Sequence, residues 1–124
     1  MSIPLLVKGA WFLEGPMNGQ PKSTDLLVGL TYHELLHTFV VENLGDRWPT
    51  PLIQEYSAES PRTKNHLHVY AVMTAVYESL GWQDKLAAQK TFDSSLDASG
   101  DYRRAMQIID ERGSAPFLAE LSAP

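Results

Sequence analysis

Apolar residues recur at spacings of three and four along most of the chain, which is the period of an amphipathic helix. The clearest stretch begins at Thr24 and ends at Leu44, with Asp25 in its first turn and Gly45 directly after it. An acidic first turn and a glycine just past the end are typical start and stop signals of helices. The pattern therefore predicts a helix over about 24–44.

The same period predicts three to five further helices after this one. Thr50-Pro51 and Ser60-Pro61 each combine a capping side chain with a proline at the first helical position. The predicted helices cover Pro51–Glu59, Arg62–Leu80, Gln83–Phe92, Tyr102–Arg112 and a short last segment through Leu121. Trp48 and Trp82 are expected to contribute to the core between them.

The N-terminal segment Ile3–Leu13 has a different pattern, because it is rich in β-branched, aliphatic and aromatic residues. Such a run predicts one or two short strands. We therefore expect a single domain over 1–124 that is mainly α with a small N-terminal β element.

Composition narrows the function classes. The chain has 124 residues, a net charge of −5 and no cysteine. An acidic chain without a basic stripe argues against binding to nucleic acid, and the missing cysteines exclude thiolate metal sites and cysteine nucleophiles. No apolar run reaches the ~20 residues of a membrane span, and no signal peptide is apparent. These features predict a soluble, cytoplasmic protein.

The predicted helix over 24–44 contains His33-Glu34-Leu35-Leu36-His37. Histidines four residues apart lie on one face of a helix, so both imidazoles can reach a single zinc ion. A glutamate directly after the first histidine can act as general base on a zinc-bound water. The competing interpretation is an amphipathic core helix whose histidines are satisfied by neighbouring side chains.

This motif and its uncharged flanks resemble the active-site helix of the zincin metallopeptidases. The resemblance covers about Leu30 to Ala58 and implies Zn²⁺ as cofactor, a peptide or protein as substrate, and a minimal zincin-like α+β fold. Because only about 23 residues precede the motif helix, the usual N-terminal sheet would be truncated. In zincins an edge strand holds the substrate, and Ile3–Leu13 could take that role.

A catalytic zinc needs a third protein ligand. The segment Gln54-Glu55-Tyr56-Ser57-Ala58 is similar to the pattern of the gluzincin branch, which implies Glu55 as third ligand. His66 is the alternative, because its spacing to Val69 and Met73 places it on the inner face of its helix. His68 points the opposite way and is expected to be exposed.

Two further questions stay open in the sequence. The histidines should have a carboxylate partner, for which Glu42, Asp46 and Glu59 are nearest in the chain. The alternative to an active enzyme is a catalytically inactive or truncated zincin-like domain that acts as a structural or interaction module. Such a module would self-associate or pair with a partner chain that supplies the missing sheet.

Overall fold

The computed structural model describes residues 24–123, and the side chains from residue 28 onward. Within this range the chain is helical and contains no strand, so the prediction of a mainly α fold is confirmed. The predicted strands at Ile3–Leu13 lie outside the described residues. The helices are α1 (Thr24–Leu44), α2 (Pro51–Glu55), α3 (Pro61–Ser79), α4 (Gln83–Ser95), α5 (Asp101–Arg112) and α6 (Ala115–Ser122), with a 3-10 turn over Gly45–Arg47 after α1.

Helix α1 has the bounds that its apolar pattern predicts. Its buried stripe consists of residues three or four positions apart, namely Leu30, His33, Leu36, Val40 and Leu44. Gly45 follows with φ of +48°, a left-handed conformation that glycine adopts without the strain of a Cβ atom. The histidine motif is therefore on the face of α1 that packs inward.

The predicted starts of α2 and α3 are confirmed in detail. The hydroxyl oxygen of Thr50 accepts a hydrogen bond from the Ile53 amide at 3.2 Å, and that of Ser60 accepts one from the Thr63 amide at 3.1 Å. Helix α2 is shorter than predicted, because the backbone at Tyr56 leaves the helical conformation (φ −106°, ψ 29°). These two caps set the point at which the chain turns back toward α1.

Helix α3 is the centre of the fold and packs against α1, α4, α5 and α6. Its fully buried side chains include Leu67, Val69, Ala71 and Met73, each 0% exposed. It runs antiparallel to α1, since His33 contacts Tyr70 while His37, one turn later, contacts His66. The apolar residues of this helix form the middle of the core, against which those four helices pack.

Three aromatic predictions are corrected by the structure. Trp48 and Trp82 are 37% and 41% exposed and are therefore surface residues rather than core. His68 is 0% exposed, because α6 covers the side of α3 that was expected to face water. Its Nε2 pairs with the Glu120 carboxylate of α6 at 2.9 Å.

No helix in the described part of the chain combines the length and the apolar character that crossing a bilayer requires.

Candidate metal centre

Three histidines from two helices converge on one point. His33 and His37 lie one turn apart on α1, and His66 lies opposite them on α3. The His37 Nε2 atom is 3.1 Å from the His33 Nε2 atom and 3.1 Å from the His66 Nε2 atom. Within the described residues, these three form the group of metal-ligating side chains whose donor atoms lie close enough to share an ion.

The outer nitrogens of two of these rings are held by groups that accept hydrogen bonds. His66 Nδ1 is 2.7 Å from the backbone oxygen of Arg62, one turn earlier on α3. His33 Nδ1 is 3.3 Å from Oδ2 of Asp93 on α4. A carbonyl and a carboxylate can only accept, so both rings donate from Nδ1. When neutral, both rings then direct an unprotonated Nε2 at His37.

His37 cannot satisfy both neighbours by itself. A neutral imidazole carries one N–H, so its Nε2 can donate to at most one of the two facing nitrogens. In neutral rings, at least one of the 3.1 Å contacts then brings two lone pairs together. A cation at the centre of the three nitrogens removes that repulsion.

The spacing also fits a metal ion. Two nitrogens bound at ~2.05 Å with a tetrahedral angle are ~3.3 Å apart, close to the observed 3.1 Å. Three histidines leave one position open in a four-coordinate site, as catalytic zinc sites require. An all-imidazole set also suits copper, iron or nickel, while the acidic and cysteine ligands preferred by other metals are not part of this cluster.

Asp93 anchors the centre from the α4 side. It is 1% exposed, and besides His33 it accepts hydrogen bonds from the Tyr70 hydroxyl at 2.9 Å and from the Gln89 amide at 2.8 Å. These three bonds hold the carboxylate in one orientation. A carboxylate that orients a ligand histidine fixes its tautomer and raises its basicity toward a metal.

Gly29 makes room for this network. A Cβ atom on Gly29 would lie 1.8 Å from Oε1 of Gln89, so only glycine lets the Gln89 side chain lie against α1. Gln89 itself is 1% exposed and reaches from there to Asp93. A glycine inside a helix lowers its stability. Here that cost is offset by the close contact of Gln89 with α1, which supports the histidine site.

Burial sets the protonation of the third histidine. Burial lowers the pKa of His66 to about 4, aided by the charges of His37 and His33 and opposed by the bond to the Arg62 carbonyl. His66 is therefore neutral at pH 7, which is the form that binds a metal. Burial also raises the pKa of Tyr70, and the adjacent Asp93 charge acts in the same direction, so its hydroxyl stays protonated and donates.

Glu34 lies beside the cluster and is half-buried. It is within electrostatic range of Tyr102, whose ring centre is 4.4 Å from that of His66. Burial is the main cause that raises the pKa of Tyr102, Arg62 opposes it, and the Glu34 carboxylate adds to the rise. The glutamate of the motif thus shares a neighbour with the third histidine.

The other acidic candidates lie elsewhere. Glu55 is exposed and forms an ion pair with Arg112 at 3.0 Å, so the structure brings His66 rather than Glu55 to the histidine pair. Glu59 pairs with Arg104 at 2.8 Å, and Glu42 and Asp46 are exposed. The carboxylate that reaches His33 is Asp93, which proximity along the chain did not indicate.

Neither Asp93 nor Gln89 was predicted as a site residue. The predicted helix ends at Phe92, so Asp93 falls in a loop, and Gln89 is polar and lies inside that helix. The helix continues to Ser95. The available signal was the spacing of Leu86, Gln89 and Asp93, which places all three on one face. Two polar residues on a helix face that packs inward indicate a buried polar network.

A cavity of about 710 Å³ opens beside the centre, between α1 and the first turns of α3. His37 and His66 form one end of it. The remaining lining residues are Val40, Val41, Leu44, Gly45, Trp48, Pro61, Arg62 and Asn65. Small-molecule sites have volumes of ~300–1,000 Å³, so a ligand of ordinary size can approach two of the three histidines from this side.

A scan of the sequence against protein-family models found no match, and searches of the curated proteins and of the solved structures found none either. The metal centre is inferred from the geometry of the three histidines.

Proposed function

We propose that this chain is a zinc-dependent hydrolase that acts on a peptide or related amide. His33, His37 and His66 are the proposed ligands, and Glu34 is the proposed general base. The observation that carries the proposal is the meeting of three Nε2 atoms, two of them held as acceptors by Asp93 and the Arg62 carbonyl.

Zinc bound at such a site supplies a Lewis acid that polarises a carbonyl and lowers the pKa of water. The protein's own groups have separate tasks. Asp93 and the Arg62 carbonyl orient the ligand rings, and burial keeps His66 neutral. Glu34 takes a proton from the attacking water and passes it to the leaving amine.

The tyrosines are candidates for stabilising charge on the substrate. Tyr102 has its ring centre 4.4 Å from that of His66 and is partly exposed. Its raised pKa keeps the hydroxyl protonated at neutral pH, so it can donate to a developing oxyanion. Tyr70 is committed to Asp93 and is 1% exposed, so we assign it to positioning the carboxylate.

Metal content tests the ligand set. Protein loaded with zinc sulfate and dialysed should hold one zinc per chain by mass spectrometry of the metal. His66→Ala should lose it, while Glu55→Gln, which changes the alternative ligand, should retain it. Retention by His66→Ala together with loss by Glu55→Gln would overturn this ligand assignment, and a zinc-free wild type would overturn the proposal.

Hydrolysis tests Glu34. With a mixture of quenched fluorescent peptides, Glu34→Gln should keep its zinc but lose at least about 100-fold in rate. Glu42→Gln is the matched control, because Glu42 is an exposed glutamate on the same helix. Equal rates for Glu34→Gln and wild type would remove Glu34 as the base. A zinc-loaded wild type that cleaves nothing would favour a structural metal site instead.

A further inference from the structure

The cavity next to the histidines has a marked division between its walls. The α1 wall beyond His37 is apolar, with Val40, Val41 and Leu44 at three- and four-residue spacing, and Trp48 is a further apolar lining residue. The α3 wall is polar, with Arg62 and Asn65 ahead of His66. The rise of a helix puts Leu44 ~10 Å beyond His37, so the apolar part is long enough for an extended group.

The charge in the cavity has one sign. Arg62 is the charged side chain among its described lining residues, apart from the histidines, and none of them carries a carboxylate. Its guanidinium is 55% exposed and meets Asp97 through one nitrogen at 3.2 Å. A guanidinium has five N–H donors, so this single contact leaves capacity for a second acceptor. An anionic group is therefore favoured here and a cationic one is disfavoured.

The two walls extend in the same direction from the histidines, because α1 and α3 are antiparallel. Arg62 lies one helical turn from His66, about 6 Å along α3, on the wall that faces the apolar residues of α1. A ligand that places a carbonyl at the histidines can thus direct an apolar chain along α1 and a nearby carboxylate toward Arg62.

We propose that the substrate is an N-acyl amino acid or a similar small amide, with an apolar acyl chain and a carboxylate next to the amide. This inference rests on the proposed hydrolase function and specifies its substrate class. In the reaction, the water oxygen bonds to the acyl carbon and the carbon–nitrogen bond breaks. The amine leaves with a proton from the water, and a free carboxylic acid and an amino acid remain.

Three probes separate the features. N-octanoylglycine has both the chain and the carboxylate, N-acetylglycine lacks the chain, and N-octanoylglycinamide lacks the charge. With zinc-loaded protein, calorimetry should show N-octanoylglycine binding at least about tenfold more tightly than either of the others, and hydrolysis measured by chromatography should follow the same order. A tenfold ratio corresponds to about 1.4 kcal/mol.

Variants locate the effect. Val41 is 69% exposed at the rim, so Val41→Asp should leave the fold intact while weakening N-octanoylglycine binding about tenfold through repulsion. Val28→Asp is the matched control, because Val28 is 56% exposed on the same helix and does not line the cavity. Arg62→Gln should weaken N-octanoylglycine binding and leave N-octanoylglycinamide binding unchanged.

The outcomes distinguish a failure of the proposed substrate class from a failure of the proposed zinc-dependent hydrolase. Equal affinities for the three probes in protein that holds zinc would overturn the substrate class and leave the centre in place. If the chain holds no zinc, N-octanoylglycine binding to the zinc-free protein that depends on Arg62 and Val41 would support the ligand preference while the hydrolase proposal fails. Equal weakening by Val28→Asp and Val41→Asp would show that the cavity is not where the probe binds.

Discussion

Replacing Asp93 by asparagine is the sharpest test of how the histidine centre is built. The substitution keeps the size of the side chain but removes its charge. His33 would then face a neutral amide in place of a carboxylate at 3.3 Å. Because the carboxylate orients His33 and raises its basicity, we expect zinc affinity to fall by about 10- to 100-fold, or about 1.4–2.7 kcal/mol.

The same substitution should cost some stability without zinc. Asp93 accepts three buried hydrogen bonds, from His33, Tyr70 and Gln89. Bonds to a charged acceptor contribute about 1.5–3 kcal/mol and neutral ones about 0.5–1.5 kcal/mol. Since an amide also offers only one acceptor oxygen, we expect zinc-free Asp93→Asn to lose roughly 1–4 kcal/mol of unfolding free energy in urea.

The assay is a zinc titration against a chromophoric chelator, with Tyr70→Phe as the control. That variant removes one donor to the same oxygen, 2.9 Å away, but keeps the charge and the contact with His33. It should lose about 1 kcal/mol of stability and keep its zinc affinity within about threefold. If Asp93→Asn bound zinc as tightly as wild type, or if Tyr70→Phe weakened binding as much, the carboxylate would not be what prepares His33.

Two further substitutions test the surroundings of the centre. Gly29→Ala should destabilise the protein by about 1–3 kcal/mol in urea, because its Cβ would meet Gln89 Oε1 at 1.8 Å; unchanged stability would mean that Gln89 has another place to go. For Asp97, the hydrogen bond from the Ser99 hydroxyl, followed by those from the Tyr102 and Ser99 amides, lowers the folded pKa from 3.8 to about 2. A carboxyl group with a lowered folded pKa stabilises the protein at pH values above its unfolded pKa. This stabilisation is lost as the pH falls from about 4 to 2. Because solvent near the partly exposed loop weakens these interactions, we expect a loss of about 1–2 kcal/mol. Asp97→Asn should abolish this loss, and an unchanged pH profile in that variant would contradict the assignment.

Helix starts and stops were largely predictable from the sequence. The bounds of α1, the caps at Thr50 and Ser60, and the stops at Gly81 and Gly113 all follow from local chemistry. The less accurate bounds were the C-termini of α2 and α4. A cap or a left-handed glycine acts within a few residues, whereas these two ends depend on how the rest of the chain packs around them.

The position of the two histidines on one face of α1 could also be predicted from the sequence. Four residues make about one turn, so His33 and His37 share a face in any helix, whatever surrounds it. The third histidine and the carboxylate are different. His66 reaches the pair because α3 runs antiparallel to α1, and Asp93 lies 60 residues after the ring that it orients.

What the sequence determined by itself was therefore a turn of helix able to hold a metal, together with two candidates for a third ligand. Only the tertiary structure decided between their positions, since it directs Glu55 to Arg112 on the surface and His66 into the centre. The physical reason is the distance along the chain over which each effect acts. The helical period fixes the relative positions only of residues within a turn or two of each other. The rotation of one helix against another is set by packing over the whole core.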